Sequence, residues 1–485
     1  MKTTLTLLTA LLLAPLAALH AADLASPPPR GDSGNTADQP RSLTGAQLRD
    51  QESKRTQPDY VCFVPEYSNG KSPDSHNEHF LVFEGSDKHL KAIWTQAPRL
   101  GDGPGSKRQA NHICFADSPD GGKTWSNPRR IVGPEGMDEP PYMASWAFPM
   151  VSRSGRIYVI WNQNKGVAGN INMHTGGMSG FYSDDQGRTW SSPQEIAMPV
   201  SPYDDPEGKV PPEWIVWQIP QRDRSGGYLV GYTRWFSPKK QRPIPKGNAG
   251  WTWWESAVEF MRFTNVDANP EPKNLQVRYS AFGDKALRVP HWIDPLRTVA
   301  QEPSFVRLPD NRLFCVMRTN TGYIWYSLSD DDGETWSIPR PLLDKEFGVP
   351  LLQPVGCCPI YQLADGRYVL LYHNNRGKIE PEVTDKGIKK EMTWGPRYPA
   401  FLALAEFRPR AQQPLWFGAP RTFLDAGEFD VTGEQGVGKP NVGVYTSFTT
   451  RNGENVLWHP DRKVFLLGKK VTEEFLAGLK ASPEK

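Results

Sequence analysis

The chain has 485 residues, 38% of them hydrophobic, with 17 Trp, 43 Gly and 46 Pro, which suits a large loop-rich globular fold and excludes a fibrous or wholly disordered chain. Lys plus Arg number 56 against 54 Asp plus Glu, so no global field favours nucleic acid or an anionic membrane as a partner. Recognition of charge must be local.

At the N-terminus, Lys2 is followed by an apolar run from Leu5 to Leu19 and by the small residues Ala21 and Ala22. This is the pattern of a cleavable secretory signal, and the run is short for a membrane span. The expected organisation is a signal peptide over 1–22, a polar linker over 23–57 and one folded unit over 58–485, in a secreted or periplasmic protein without a membrane span. Five cysteines (Cys62, Cys114, Cys315, Cys357 and Cys358) are too few for a disulfide scaffold and lack paired metal spacing. Cys114 and Cys315 lie in apolar strand patterns and read as buried thiols. The neighbours Cys357 and Cys358 are awkward to bridge to each other and leave a redox or ligand-facing role open.

Repeats organise the rest. Three octamers read Ser-x-Asp-x-Gly-x-Thr-Trp, at Ser118–Trp125, Ser183–Trp190 and Ser329–Trp336, and each is followed by Ser-x-Pro. The octamer suits a β-hairpin turn: the Asp accepts from backbone amides ahead of it, the Gly tolerates positive φ, and the Trp packs between neighbouring sheets. Asp120, Asp185 and Asp331 each stand without a second carboxylate at ligand spacing, so a structural role is expected and no metal is implied.

A second repeat precedes the boxes. Apolar hairpins run over 80–96, 146–162 and 302–318, turning near Gly85-Ser86-Asp87, Ser154-Gly155 and Pro309-Asp310. Further copies run over 218–234 and 357–373, turning at Ser225-Gly226-Gly227 and Asp365-Gly366. Degenerate partners of the boxed hairpin lie over 258–279 and 402–420, where Trp416-Phe417 takes the place of the box Trp. A sixth unit is assembled from 442–467 and closed by a strand near Tyr60 to Val64. The expected fold is all-β, a propeller of six four-stranded blades.

The Asp boxes at this spacing resemble the sialidase (neuraminidase) superfamily over nearly everything after residue 58. That superfamily includes exo-sialidases, other glycoside hydrolases, polysaccharide lyases and binding proteins, so the fold alone does not decide the activity. If the box turn joins strands three and four, the start of strand one and the end of strand two lie on the opposite face near the axis. The rim residues are then His79 and Gln96, Trp146 and Asn162, Gln218 and Arg234, Glu302 and Arg318, and the cluster His373-Asn374-Asn375-Arg376.

The resemblance assigns roles to some of these. Glu302 and Arg318 match the Glu that assists a Tyr nucleophile and an Arg that grips the substrate carboxylate, and Asn441 to Ser447 is similar to the late segment whose Tyr, here Tyr445, is the nucleophile. A carboxylate beside a phenol can take its proton, and a guanidinium binds a sugar acid through two parallel bonds. Sialidases usually begin with an Arg-Ile-Pro element, and Cys62-Phe63-Val64-Pro65 has no Arg at the matching place. Arg376 or Arg234 is the substitute cation. For the acid/base, Asp74, Asp102 and Asp138-Glu139 are available, with Asp138 carried forward. His76, His79 and His373 open a rival reading in which a His or Tyr abstracts the proton beside a uronate carboxylate.

The sequence therefore predicts an exported exo-glycoside hydrolase of sialidase type. Its substrate is a carbohydrate, expected to carry a carboxylate, and no cofactor is implied. A uronate lyase and a non-catalytic carbohydrate-binding propeller are the alternatives.

Overall fold

The computed structural model describes residues 57–66, 76–97, 111–134, 142–167, 174–244, 253–377, 395–425 and 444–479, together with a few short stretches between them. The expected signal peptide, and the linker apart from its last residues, lie outside the described residues. So do Asp102, Asp138 and Glu139.

Six antiparallel sheets form the blades of a β-propeller. Blade one contains His76–Glu84, Leu90–Ala97, His112–Ser118 and Arg129–Val132, and blade two Ala144–Val151, Ile157–Gln163, Gly177–Ser183 and Gln194–Ile196. Blade three divides its first strand into Glu213–Ile215 and Gln221–Arg222, then adds Tyr228–Trp235, Ser256–Phe263 and Val277–Ser280. Blade four is Gln301–Arg307, Leu313–Arg318, Trp325–Ser329 and Arg340–Pro341. Blade five is Ile360–Gln362, Tyr368–Tyr372, Ala400–Phe407 and Leu415–Phe417, with Arg421–Leu424 added beside its third strand.

Blade six takes Ser447–Arg451, Glu454–Asp461 and Phe465–Lys470 from the end of the chain and Tyr60–Phe63 from its beginning as the fourth strand. The ring is thus closed by pairing the two ends of the propeller, with Tyr60 opposite Gly468 and Val61 opposite Leu467. Trp458 anchors this closure, fully buried and within 5.4 Å of Tyr60, 5.6 Å of Trp125 and 6.3 Å of Phe80. Removing about 200 Å² of indole from water at about 25 cal/mol/Å² contributes ~5 kcal/mol before entropy is counted.

The three octamers adopt one geometry. In each, the Asp accepts from the Thr backbone N–H (2.9, 2.8 and 2.8 Å) and from the Thr hydroxyl (2.6, 2.6 and 2.5 Å). The octamer Ser accepts from the Gly N–H, at Gly122, Gly187 and Gly333. Gly122 has φ +97, and a Cβ there would lie 2.4 Å from Trp458, so the turn needs Gly both for its backbone and for the close approach. Each Trp packs on the preceding blade: Trp125 on Trp458, Trp190 on Phe115 and Trp336 stacked at 4.2 Å on Phe260. In blade five, Trp416 Nε1 donates to the carbonyl three residues earlier, Gln413, as Trp125 donates to Gly122.

These turns join third strands to fourth strands. Antiparallel pairing sets Leu313 at the start of the second strand opposite Ser329, so Arg318 at its far end lies on the other face. One face of the propeller carries the octamers, and the ends that carry Glu302 and Arg318 form the opposite one.

Candidate functional site

The first strands break register at one recurring position. The ladders skip between Glu78 and Leu81, between Ser145 and Phe148, and between Gln301 and Pro303. The bulged residues include His79, Trp146 and Glu302, whose φ values are 53°, 58° and 44°. Left-handed backbone at a non-glycine residue costs about 1–3 kcal/mol and persists only where the surroundings enforce it. A shared tie to the preceding blade helps here: Trp146 N–H donates to Thr95 Oγ1 (2.9 Å) and Glu302 N–H to Thr233 Oγ1 (2.7 Å).

Residues from blades four and six meet at this level, which is possible only around the axis. Arg318 Nη1 donates to Glu302 Oε1 at 2.5 Å and to the Tyr445 oxygen at 3.2 Å, and the Tyr445 hydroxyl donates to the same Glu302 oxygen at 3.0 Å. All three side chains are buried, and Glu302 Oε2 has no hydrogen-bond partner among the described residues. Burial and the Glu302 charge push the Tyr445 phenol well above its usual range, so it is neutral at pH 7. Burial opposes the Arg318 charge, but Glu302 and Tyr445 outweigh it and leave the guanidinium more firmly protonated than usual.

A second cation acts on this trio. Arg397 is buried, donates to the Val355 carbonyl, and exerts its charge on Tyr445, Glu302 and Cys357. A Cβ built on Gly356 would lie 3.5 Å from both Arg397 Nε and His373 Cδ2, so these two side chains converge on one glycine. Lys463 adds a third positive charge, with Nζ 5.2 Å over the Tyr445 ring and 2.8 Å from Glu78 Oε1. Burial works against the Glu78 charge, yet Lys463 above all, with His76 beside it, holds the carboxyl down at about 2.

Aromatic rings also gather around Tyr445. The His79 ring lies 4.6 Å from Tyr445 and 3.9 Å from Trp146, and Trp217 meets Tyr445 edge-on at 6.0 Å. Neither nitrogen of His79 has a hydrogen-bond partner among the described residues, and burial holds the imidazole neutral. Cys357 also belongs to the centre, its thiol raised by burial and by Glu302 and lowered by Arg318 and Arg397. Cys358 belongs to the apolar cluster with Phe314 and Leu370 between blades four and five, and Glu302 and Arg318 act on its thiol as well. All five cysteines are free and buried.

Several rim residues expected from the hairpin count lie elsewhere. Arg234 is fully buried and held by Glu259 (3.3 Å) of its own blade and Asp204 (3.2 Å) of the connection before it, and no contact joins it to the Tyr445, Glu302 and Arg318 trio among the described residues. Arg376 is exposed, with its guanidinium 4.9 Å over the Tyr323 ring, and Arg397 takes the buried place. Gln96 bonds Asn77 (2.9 Å) and His112 (3.2 Å) inside blade one, while Asn162 donates to the carbonyls of His174 (2.7 Å) and Trp214 (3.0 Å). In blade three the inward residue is Trp217, and its neighbour Gln218 donates to Tyr361 (3.3 Å).

His373 is buried against the Pro399 carbonyl (3.2 Å), and burial lowers it to about 3. His76 pairs with Glu78. Asp74 accepts from the Glu66 N–H (2.9 Å), and burial raises its carboxyl. Tyr60–Phe63 closes blade six, so the segment Cys62–Pro65 is not the start of blade one; that start carries His79.

No family model and no curated protein sequence matches this chain. Solved structures do. The leech intramolecular trans-sialidase complexed with 2,7-anhydro-Neu5Ac aligns with a TM-score of 0.55 at 13% identity, over 90% of this chain and 73% of that one. The intramolecular trans-sialidase from Ruminococcus gnavus in complex with oseltamivir carboxylate aligns at 0.53 and 13%, over 87% and 99%. A protein of unknown function from Dyadobacter fermentans aligns at 0.52 and 12%, over 85% and 97%. At such identities the likeness shows the fold alone: this chain is a six-bladed propeller of sialidase type.

Proposed function

We propose that the protein is an exported exo-acting glycoside hydrolase that cleaves an acidic sugar from a glycan. The observation that carries this reading is the buried hydrogen-bonded trio of Tyr445, Glu302 and Arg318, with Arg397 beside it. A neutral phenol bonded to a carboxylate is a nucleophile with its base in place. Two guanidiniums close to it supply the charge that an anionic sugar needs.

In this scheme the Tyr445 oxygen bonds to the anomeric carbon while its proton passes to Glu302 Oε1. The bond to the leaving oxygen breaks, and that oxygen takes a proton from an acid, for which Asp138 is the candidate from sequence. Water then attacks the anomeric carbon and gives a proton back to the carboxylate of that acid, the glycosyl-tyrosine bond breaks, and Glu302 returns its proton to the phenolate oxygen. Export rests on the N-terminal apolar segment and its small-residue end.

A second reading, a uronate lyase, has its own support in His79, a neutral imidazole against Tyr445 with both nitrogens unpartnered. Product analysis separates the two. The purified protein is incubated with sialosides and with uronate glycans. Free sugar acid supports the hydrolase; a new ultraviolet absorbance from an unsaturated uronate supports the lyase. Binding without either product would leave a carbohydrate-binding propeller.

A further inference from the structure

Glu302 owes its place at the axis to its backbone. The ladder pairs Gln301 with Arg318 and then Pro303 with Met317, so Glu302 is the extra residue of a bulge. Its N–H leaves the ladder and donates at 2.7 Å to Thr233 Oγ1, on the second strand of blade three. The carboxylate held on this backbone carries the oxygen that Arg318 (2.5 Å) and Tyr445 (3.0 Å) share. A residue at φ 44° stays there only while its surroundings enforce it. A shift of about 1 Å would take the Tyr445 bond out of hydrogen-bond range.

Thr233 is itself firmly placed. It is fully buried, between Ile215 and Val258 in its sheet, and its branched side chain is stiff about χ1. Gly231, two residues earlier on the same face of the strand, lets the next blade come close: a Cβ there would lie 2.6 Å from Pro303 Cγ.

The same tie is built between blades one and two. Thr95 and Thr233 each stand two residues before the end of their strands, and Thr95 Oγ1 accepts from the N–H of Trp146 at 2.9 Å, across another bulge with φ 58°. Ile93 and Ala147 take the places of Gly231 and Pro303 there, so the small residue comes from the following blade instead. Two ties of one design thus hold different side chains. One is the carboxylate bonded to Tyr445, and the other is an indole whose N–H has no hydrogen-bond partner among the described residues.

We propose that Thr233 is a positioning residue for the reaction: by accepting the Glu302 N–H across the blade boundary, it holds the Glu302 carboxylate against the Tyr445 phenol. This deepens the hydrolase reading and rests on it for the effect on turnover, whereas the tie itself is read without substrate.

The experiment compares the wild type with Thr233→Val, which keeps the shape and loses the oxygen, with Thr233→Ser, which restores the oxygen, and with Thr95→Val, which removes the sister tie. Hydrogen exchange at the Glu302 amide is resolved by fragmentation mass spectrometry, helped by Pro303, which has no N–H. Alongside, kcat and KM are measured on aryl glycosides of N-acetylneuraminic and glucuronic acids. Thr233→Val should speed exchange at Glu302 about tenfold. It should lower kcat about a hundredfold and leave KM within about threefold, since the two guanidiniums that face the anionic sugar are untouched. Thr233→Ser should recover most of both losses. Thr95→Val should speed exchange at Trp146 by a similar factor and leave kcat within about threefold of the wild type. Unchanged exchange at Glu302 in Thr233→Val, an unchanged kcat despite faster exchange, or an equal fall in kcat in Thr95→Val would overturn the proposal. If the wild type releases no sugar acid, while Thr233→Val speeds exchange at Glu302 and Thr233→Ser restores it, the tie stands and the hydrolase reading fails. No release and no change in exchange overturns both.

Discussion

Arg318→Ala is the most informative single perturbation of the centre, because the sequence and the structure predict different costs for it. As a rim residue, Arg318 would be removed without making a core cavity, and the fold would be untouched. The structure places it in a buried pair, with the two side chains 4% and 3% exposed and 2.5 Å apart. Deleting the guanidinium strands the Glu302 carboxylate in the interior and frees the Tyr445 oxygen of its donor. Breaking a buried pair in this way costs about 3–5 kcal/mol, while replacing both partners with apolar residues of similar volume is close to neutral.

The assay is urea unfolding at pH 7 of the wild type, Arg318→Ala, Glu302→Leu and the double variant Arg318→Met/Glu302→Leu. The single variants should each lose about 3 kcal/mol or more, and the double variant far less than their sum, a coupling of about 2–3 kcal/mol. None of the variants should turn over substrate. If Arg318→Ala costs under about 1 kcal/mol, or if the two losses simply add, the buried pair is not what holds the centre together.

Two further predictions concern the scaffold. Glu78 is held at about 2 in the folded chain against an ordinary value of 4.5, despite burial, chiefly by Lys463, with His76 beside it. Its folded value is depressed, so its contribution of about 3 kcal/mol is present above pH 5 and disappears as the pH falls towards 2. Glu78→Gln should therefore be less stable than the wild type at pH 7 and nearly equal to it at pH 2.5, as read by thermal melts across that range. Asp331→Ala removes the acceptor for the Thr335 N–H (2.8 Å) and hydroxyl (2.5 Å), on the face away from the centre. It should cost about 1–2 kcal/mol in denaturant titration and leave kcat and KM unchanged.

How far the sequence carried can be judged residue by residue. The octamers and the evenly sized hairpins before them announce the blades because turn chemistry is local, and an Asp, a Gly and a Trp at constant spacing leave the same mark wherever they occur. Closure by Tyr60–Phe63 was legible because the last unit lacked a fourth strand. Glu302, Arg318 and Tyr445 came from resemblance, and their contact is geometric information that no spacing contains. Arg234 misled because strand alternation had to be counted through a first strand interrupted after Ile215. With Thr233 facing Glu302 of the next blade, Arg234 points the other way, to Glu259 and Asp204. Arg397 was missed because Gly395-Pro396-Arg397-Tyr398-Pro399 lies in a connection between strands, outside any repeat. The left-handed bulges at His79, Trp146 and Glu302 leave no pattern, since none of them is a glycine.

The central claim, that Tyr445 is the nucleophile of a hydrolase, is tested most directly by Tyr445→Phe, which keeps the ring and removes one hydroxyl. The measurement is steady-state release of free sugar acid from aryl glycosides of N-acetylneuraminic and glucuronic acids, with the melting temperature of each protein alongside. Loss of the phenol removes the acceptor for Arg318 and the donor to Glu302, a modest change in stability, but it removes the group that forms the covalent bond. The account predicts a fall in kcat of about a thousandfold or more with a nearly unchanged melting temperature. Near-normal hydrolysis by Tyr445→Phe would contradict it.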